Sequence, residues 1–137
     1  MKERTDHGYD EEAFRYFLAV EQKRANRANR SCLLLLVDMK TQAEAAVPMD
    51  PKVADKMFAG LLRCLRETDF FGWYRHGRVA GAVLTQPGSG PEAELPSVVG
   101  DRVSRALLES LPSEIGRRVQ VRLYRLSSDA EPELAIG

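Results

Sequence analysis

The sequence predicts an α+β fold of ferredoxin-like type: β-α-β-β-α-β, with a four-stranded antiparallel sheet, helices on one face, and an N-terminal helix in front. Three observations predict it. Cys32 to Val37 is an unbroken apolar run, as a strand buried on both faces requires. Two short apolar stretches flank Arg75-His76-Gly77, a hairpin with glycine near its tip. Two amphipathic helical stretches separate these strands from each other and from a final alternating strand.

The elements follow in order. Glu11 to Arg30 is helical, with Phe14, Phe17, Leu18, Glu21, Ala25 and Ala28 at spacings of three and four. Its second half, "QKRANRANR", is strongly polar, so the helix either packs on the domain or pairs with a copy of itself. The apolar strand ends at Asp38, and "KTQAEAAVP" reads as a loop. "MDPKVADKMFAGLLRCLRET" has a clear helix start, with Asp50 as N-cap and Pro51 at the first helical position. Val53, Met57, Phe58, Leu61, Leu62 and Leu65 form its apolar stripe. "DFFGWY" and "RVAGAVL" are the hairpin strands.

"TQPGSGPEAELP" is a loop by its Gly and Pro content. It lacks the spacing and lysine of a phosphate loop. "SVVGDRVSRALLESL" is the next helix, ended by Pro112. "RRVQVRLYRL" places Val119, Val121 and Leu123 on one face and Arg118, Gln120 and Arg122 on the other, as in a half-buried edge strand. The organisation expected is one domain over 1–137: a helix over 9–30, a core over 31–126 and a loose tail over 127–137.

Composition narrows the function classes. Lys plus Arg number 20 and Asp plus Glu number 20, so no net field draws the chain to nucleic-acid polymers or anionic membranes. No apolar run approaches membrane-spanning length, so membrane insertion is not expected. The N-terminus has no apolar signal core, and the chain is read as cytoplasmic. Cys32 and Cys64 stand alone, without metal-ligand spacing, and read as buried thiols in a reducing compartment. No cofactor is implied.

Several quoted stretches together resemble the GGDEF domain, the catalytic domain of diguanylate cyclases. They are a helix ending in "KRANRANR", a strand "LLLLVD", a helix ending in "LRETD", then five residues, Phe70 to Tyr74, before the signature positions. Those positions hold Arg75, His76, Gly77, Arg78 and Val79. The register holds over roughly residues 11–126. In the family, two carboxylates hold the metal ions that bridge the nucleotide phosphates. Asp38 matches one, whereas Gly77 and Arg78 stand where the hairpin carboxylate belongs. Arg75 and His76 replace the paired glycines, and only Lys40 remains of the acid-lysine cluster after the first strand. Two-metal phosphoryl chemistry needs several carboxylates to balance the charge. The resemblance with these departures implies no catalytic residues, no cyclase activity and no metal site beyond the weak candidate Asp38, which otherwise caps its loop.

The resemblance also implies a binding site. In active cyclases, an Arg-x-x-Asp five residues before the signature is the inhibitory site for cyclic di-GMP, and Arg66 and Asp69 keep that spacing. An Arg fork suits phosphate or a guanine edge, and a carboxylate can accept from guanine N1 and N2. Arg63, one turn earlier on the same helix face, adds a cation. The plain alternative is that Arg66 and Asp69 pair with each other at a helix end. His76 reads as a solvated turn residue, and Trp73 and Tyr74 as sheet aromatics.

The expectation is a catalytically inactive regulatory or scaffolding domain in bacterial signalling that senses cyclic di-GMP. "R-x-T-D-x-x-G-W" before a plain hairpin also resembles domains associated with exopolysaccharide synthesis, which implies a protein partner in such a pathway. Similar N-terminal helices form dimeric stalks in the family, so a homodimer is a further expectation. Two readings compete: an enzyme or binding protein acting on a phosphorylated ligand through Asp38 and the basic hairpin, and a purely structural protein-interaction domain.

Overall fold

A computed structural model describes residues 8–27, 32–39, 49–66, 69–84, 95–126 and 133–136. The elements are α1 (Glu11–Arg27), β1 (Cys32–Met39), α2 (Pro51–Leu62), β2 (Phe70–Arg75), β3 (Val79–Leu84), α3 (Leu95–Ser110), α4 (Ser113–Gly116), β4 (Val119–Leu126) and β5 (Glu133–Ile136). The strands form one antiparallel sheet in the order β2-β3-β1-β4-β5. The first four strands and the helices between them have the ferredoxin-like arrangement the sequence predicts.

β1 is central, and all eight of its residues are buried. Alternation sorts its side chains between two cores. Leu33, Leu35, Val37 and Met39 join Met57, Phe58 and Leu61 of α2 and Val99, Val103 and Leu107 of α3. Cys32, Leu34 and Leu36 face the other way, with Phe14 and Leu18 of α1. So α2 and α3 cover one face and α1 covers the other. Phe14 can approach the sheet closely because residue 81 is glycine; a Cβ there would meet the Phe14 ring at 2.8 Å. Burial pushes the Cys32 thiol up to about 11, with Glu21 adding to the effect.

The helix starts follow the sequence. Asp50 accepts the Lys52 amide at 2.8 Å and caps α2. Asp10 accepts the Ala13 amide at 2.8 Å and caps α1. Residues 28–30, included in the expected first helix, lie outside the described residues, as do the loop stretches 40–48 and 85–94.

Four features differ from the sequence reading. The tail is not loose throughout: β5 pairs with β4, Tyr124 opposite Leu134 and Arg125 opposite Glu133. This makes the sheet five-stranded and moves β4 inside it, because β5 satisfies backbone groups that an edge would leave open. Second, α2 stops at Leu62. Its chain tightens into successive turns, with the Cys64 amide donating to Leu61 and the Leu65 amide to Leu62. Third, Pro112 ends α3 but also starts α4, its carbonyl accepting from the amides of Ile115 and Gly116. Fourth, Asp38 does not cap a loop; it lies within β1, opposite Val79 and Gln120.

The far edge of the sheet is closed by the chain before α1. Tyr9 bridges Gly72 in parallel, donating to Phe71 O and accepting from Trp73 N, both at 3.0 Å. A side chain at residue 72 would overlap the Tyr9 backbone.

Two outcomes test this architecture. Leu35→Glu buries an unpaired charge and should cost several kcal/mol in denaturant unfolding; an unchanged midpoint would place β1 at an edge. Gly72→Val should speed amide exchange at Tyr9 and Trp73 while β1 amides stay protected, since only the added edge contact is lost.

Candidate functional site

Arg75 to Val79, which the resemblance makes the signature positions, span the turn between β2 and β3. Gly77 takes φ +70, which a turn of this kind demands and other residues resist. The Arg78 amide donates to Arg75 O at 3.0 Å, and register shifts between Trp73 and Arg75. Arg75, His76 and Arg78 are exposed, whereas Val79 is buried in the core under α1.

Neighbouring elements hold this turn from two sides. The Met49 amide, just ahead of α2, donates to Gly77 O at 2.7 Å. From α1, Glu11 Oε1 accepts the His76 amide at 2.6 Å. Arg15 donates from Nε to Tyr74 O at 3.0 Å, and its guanidinium lies 4.3 Å from the centre of the Tyr74 ring. Glu11 and Arg15 are themselves 3.7 Å apart. The His76 ring sits 5.9 Å from Trp73. Glu11 thus brings a carboxylate to the hairpin, but its oxygen is engaged by a backbone donor.

Asp38, which the resemblance would match to a metal carboxylate, faces a cation of the chain itself. Arg122 Nη2 of β4 donates to Asp38 Oδ2 at 3.2 Å, and its Nη1 lies 3.3 Å from the Tyr124 hydroxyl. The Asp38 side chain is 11% exposed. Asp38 Oδ1 and Arg122 Nε are buried without a hydrogen-bond partner among the described residues. A divalent ion needs several oxygen ligands and no competing positive charge. One carboxylate already paired with a guanidinium does not fit that need. Among the described residues no group of three His, Cys, Asp or Glu side chains comes together.

The Arg-x-x-Asp stretch makes a turn after α2. Asp69 Oδ2 accepts the Arg66 amide at 3.0 Å, and the Asp69 amide donates back to Arg66 O at 3.0 Å. Arg66 Nε stands 3.8 Å from the same carboxylate oxygen. The Asp69 side chain is 1% exposed and that of Arg66 49%. Asp69 therefore builds the turn from inside and does not present an open edge to a base, while Arg66 projects from it. Glu67 and Thr68 lie outside the described residues. Arg63 and Arg66 do not share a helical face, because α2 has ended between Leu62 and Arg63. Arg63 instead bonds Glu109 of α3 at 2.9 Å.

The sequence reading missed one cation here. Cys64, between α2 and this turn, has its Sγ 3.9 Å from Arg102 O of α3. Burial raises its thiol, while the charges of Arg102 and Arg63 pull it the other way and Glu109 raises it. Arg102 thus adds its charge to the surroundings of Arg63. Arg102 and Glu109 recur on the polar side of α3, but only the packing of α3 on α2 brings that side to the turn.

No protein-family model and no curated protein sequence matches the chain. Solved structures do. Over 90% of its length the chain superposes on the diguanylate cyclase SiaD of Pseudomonas aeruginosa, a structure in complex with the activator SiaC, with TM-score 0.65 and 16% identity. It spans about half of that protein, 49%. The GGDEF domain of FimX from Pseudomonas aeruginosa gives TM-score 0.64 at 12% identity, covering 90% of this chain and 78% of that one. The GGDEF domain of DgcB from Caulobacter crescentus, a structure in complex with c-di-GMP, gives 0.56 at 13% identity, covering 91% and 77%. The chain has the fold of a GGDEF domain.

Proposed function

We propose that this chain is a catalytically inactive GGDEF-like domain that serves bacterial signalling as a regulatory or scaffolding module. The observation that carries the reading is the pairing of Asp38 with Arg122 beside a hairpin of Arg75, His76, Gly77 and Arg78. The pocket that needs carboxylates for metal-bound phosphates instead carries a neutralised acid and surplus positive charge. The same pairing argues against an enzyme of another class built on Asp38, since its carboxylate is not open as a base.

The ligand of this module is cyclic di-GMP, bound at the turn after α2. Arg66 supplies the main charge-assisted contact. Asp69 holds the Arg66 backbone, and Arg63 and Arg102 add charge nearby. Support comes from the exposure of Arg66, the kept spacing to the hairpin, and a similar fold solved with c-di-GMP. The readout is a protein contact in a signalling or exopolysaccharide-synthesis pathway of the cytoplasm. A similar fold is solved with a protein activator. No helix among the described residues is long and apolar enough to cross a membrane.

Three outcomes test the reading. With GTP and magnesium or manganese the protein should make no cyclic di-GMP, and Arg122→Ala should not create activity. Product that Asp38→Ala abolishes would show that the altered hairpin still works. Arg122→Met should lower unfolding stability by about 3 kcal/mol, because it leaves the Asp38 charge buried and unpaired; Asp38→Asn with Arg122→Met should recover much of that loss.

Cyclic di-GMP should raise the melting temperature. Arg66→Ala should weaken binding by about 1.5 to 3 kcal/mol, roughly ten- to hundredfold. Arg63→Ala should do less, since that side chain already pairs with Glu109 and acts through a screened charge. Asp69→Ala should lower stability more than Arg66→Ala does, because Asp69 is buried in the turn. Wild-type protein with neither binding heat nor a melting shift at near-millimolar cyclic di-GMP would end the ligand assignment.

A further inference from the structure

The tip of the β2–β3 hairpin exposes Arg75, His76 and Arg78 within four residues. The chain as a whole has 20 basic and 20 acidic residues, so this local excess does not come from a basic protein. The tip stands clear of the fold: a Cβ at residue 77 would meet nothing within 4 Å. Its backbone is engaged within the chain. Glu11 accepts the His76 amide at 2.6 Å, and Arg75 O accepts the Arg78 amide at 3.0 Å. Gly77 O accepts the Met49 amide at 2.7 Å. Register shifts between Trp73 and Arg75, and the carbonyl of Tyr74, between them, accepts from Arg15 at 3.0 Å. What the tip offers outward is therefore side chains.

The bond from Met49 also brings the start of α2 to this end of the sheet, where Lys52 is exposed. Two acids flank the turn, and both are in use. Glu11 gives one oxygen to the His76 amide and holds the other 3.7 Å from Arg15. Asp50 accepts the Lys52 amide at 2.8 Å as the cap of α2. Arg75 has no ion-pair partner among the described residues.

We infer that this tip is a docking surface for an acidic segment of a second protein, with Arg75 and Arg78 as its main contacts. Charge selects the partner, because a guanidinium fork bonds a carboxylate through two parallel N–H groups. Shape argues against a small anion. Ligands of that size are held in concave sites, and phosphate-binding loops use backbone N–H groups, which here are engaged at His76 and Arg78. Residues 75–78 include no apolar side chain to enter a bilayer, which argues against an anionic membrane. A turn braced from α1 and from the start of α2 loses little freedom on binding. The inference rests on the reading of the chain as a module that acts through protein contacts. It uses no residue of the Arg66 turn, so this contact and cyclic di-GMP binding can fail separately.

A labelled polyglutamate peptide is the probe, read by anisotropy on the full chain. Wild type should bind it, and raising salt from about 0.05 to 0.5 M should remove most of the binding. The single tryptophan, Trp73, has its ring 5.9 Å from that of His76, so its fluorescence should change as the peptide binds. Arg75→Glu with Arg78→Glu should weaken binding by about tenfold. Arg24→Glu with Arg27→Glu makes the same change of net charge on exposed residues at the far end of α1, about 25 Å along the helix, and should leave binding nearly unchanged. If the hairpin reversal disturbs melting, Arg75→Gln alone must still weaken binding by about twofold. Wild type that does not bind at near-millimolar peptide overturns the proposal. Equal losses in the two double reversals overturn it too, since they would report net charge and no particular surface. Capture by phosphatidylglycerol vesicles without binding of polyglutamate would assign the tip to a membrane and overturn it as well.

Discussion

The constraint on which the structure depends is the burial of β1 on both faces. An apolar strand of this kind cannot leave either side to water, so each needs its own cover. Helices α2 and α3 supply one cover through Phe58, Leu61 and Leu107. The other is α1, anchored by Phe14 against residue 81, where the absence of a side chain makes room for the ring. Without α1, Leu34 and Leu36 would face solvent.

Placing α1 there has a local consequence for the hairpin. The first turn of the helix arrives beside β2, where Glu11 takes the His76 amide and Arg15 takes Tyr74 O. Tyr9, just ahead, covers the open edge of β2. The same segment therefore closes the second core, caps the sheet edge and braces the hairpin turn.

The polar centre of the sheet is the Asp38–Arg122 pair. Two strands adjacent in the sheet but distant in sequence meet so that a strand-end acid finds a guanidinium. The acid is buried and the arginine partly exposed, so the pair contributes little net stability, but removing the arginine alone leaves a buried charge unpaired. The turn after α2 shows the same logic on a smaller scale. Its buried acid, Asp69, satisfies a backbone amide, and its exposed arginine stands 3.8 Å from that acid.

The sequence alone determined what local pattern and chain order can express. The six-residue apolar run from Cys32 required a central strand, Asp50-Pro51 required a helix start, and Gly77 required a turn. The spacing from Arg66 to the hairpin, and the residue types from Arg75 to Val79, were equally legible, because they are matters of identity and count. Tertiary structure decided the partners. Nothing local to Asp38 names Arg122, 84 positions away, and nothing local to Arg63 names Glu109. The strand at Glu133–Ile136 was hidden because four residues carry too little periodicity to register, and its pairing depends on the open edge of β4. The end of α2 and the inward turn of Asp69 were likewise outside the pattern, since helix propensity continues through "RCLRET" and gives no local stop at Leu62. Side-chain chemistry is written residue by residue, but burial and pairing are properties of positions brought together, and those arise only when the two faces of β1 are closed.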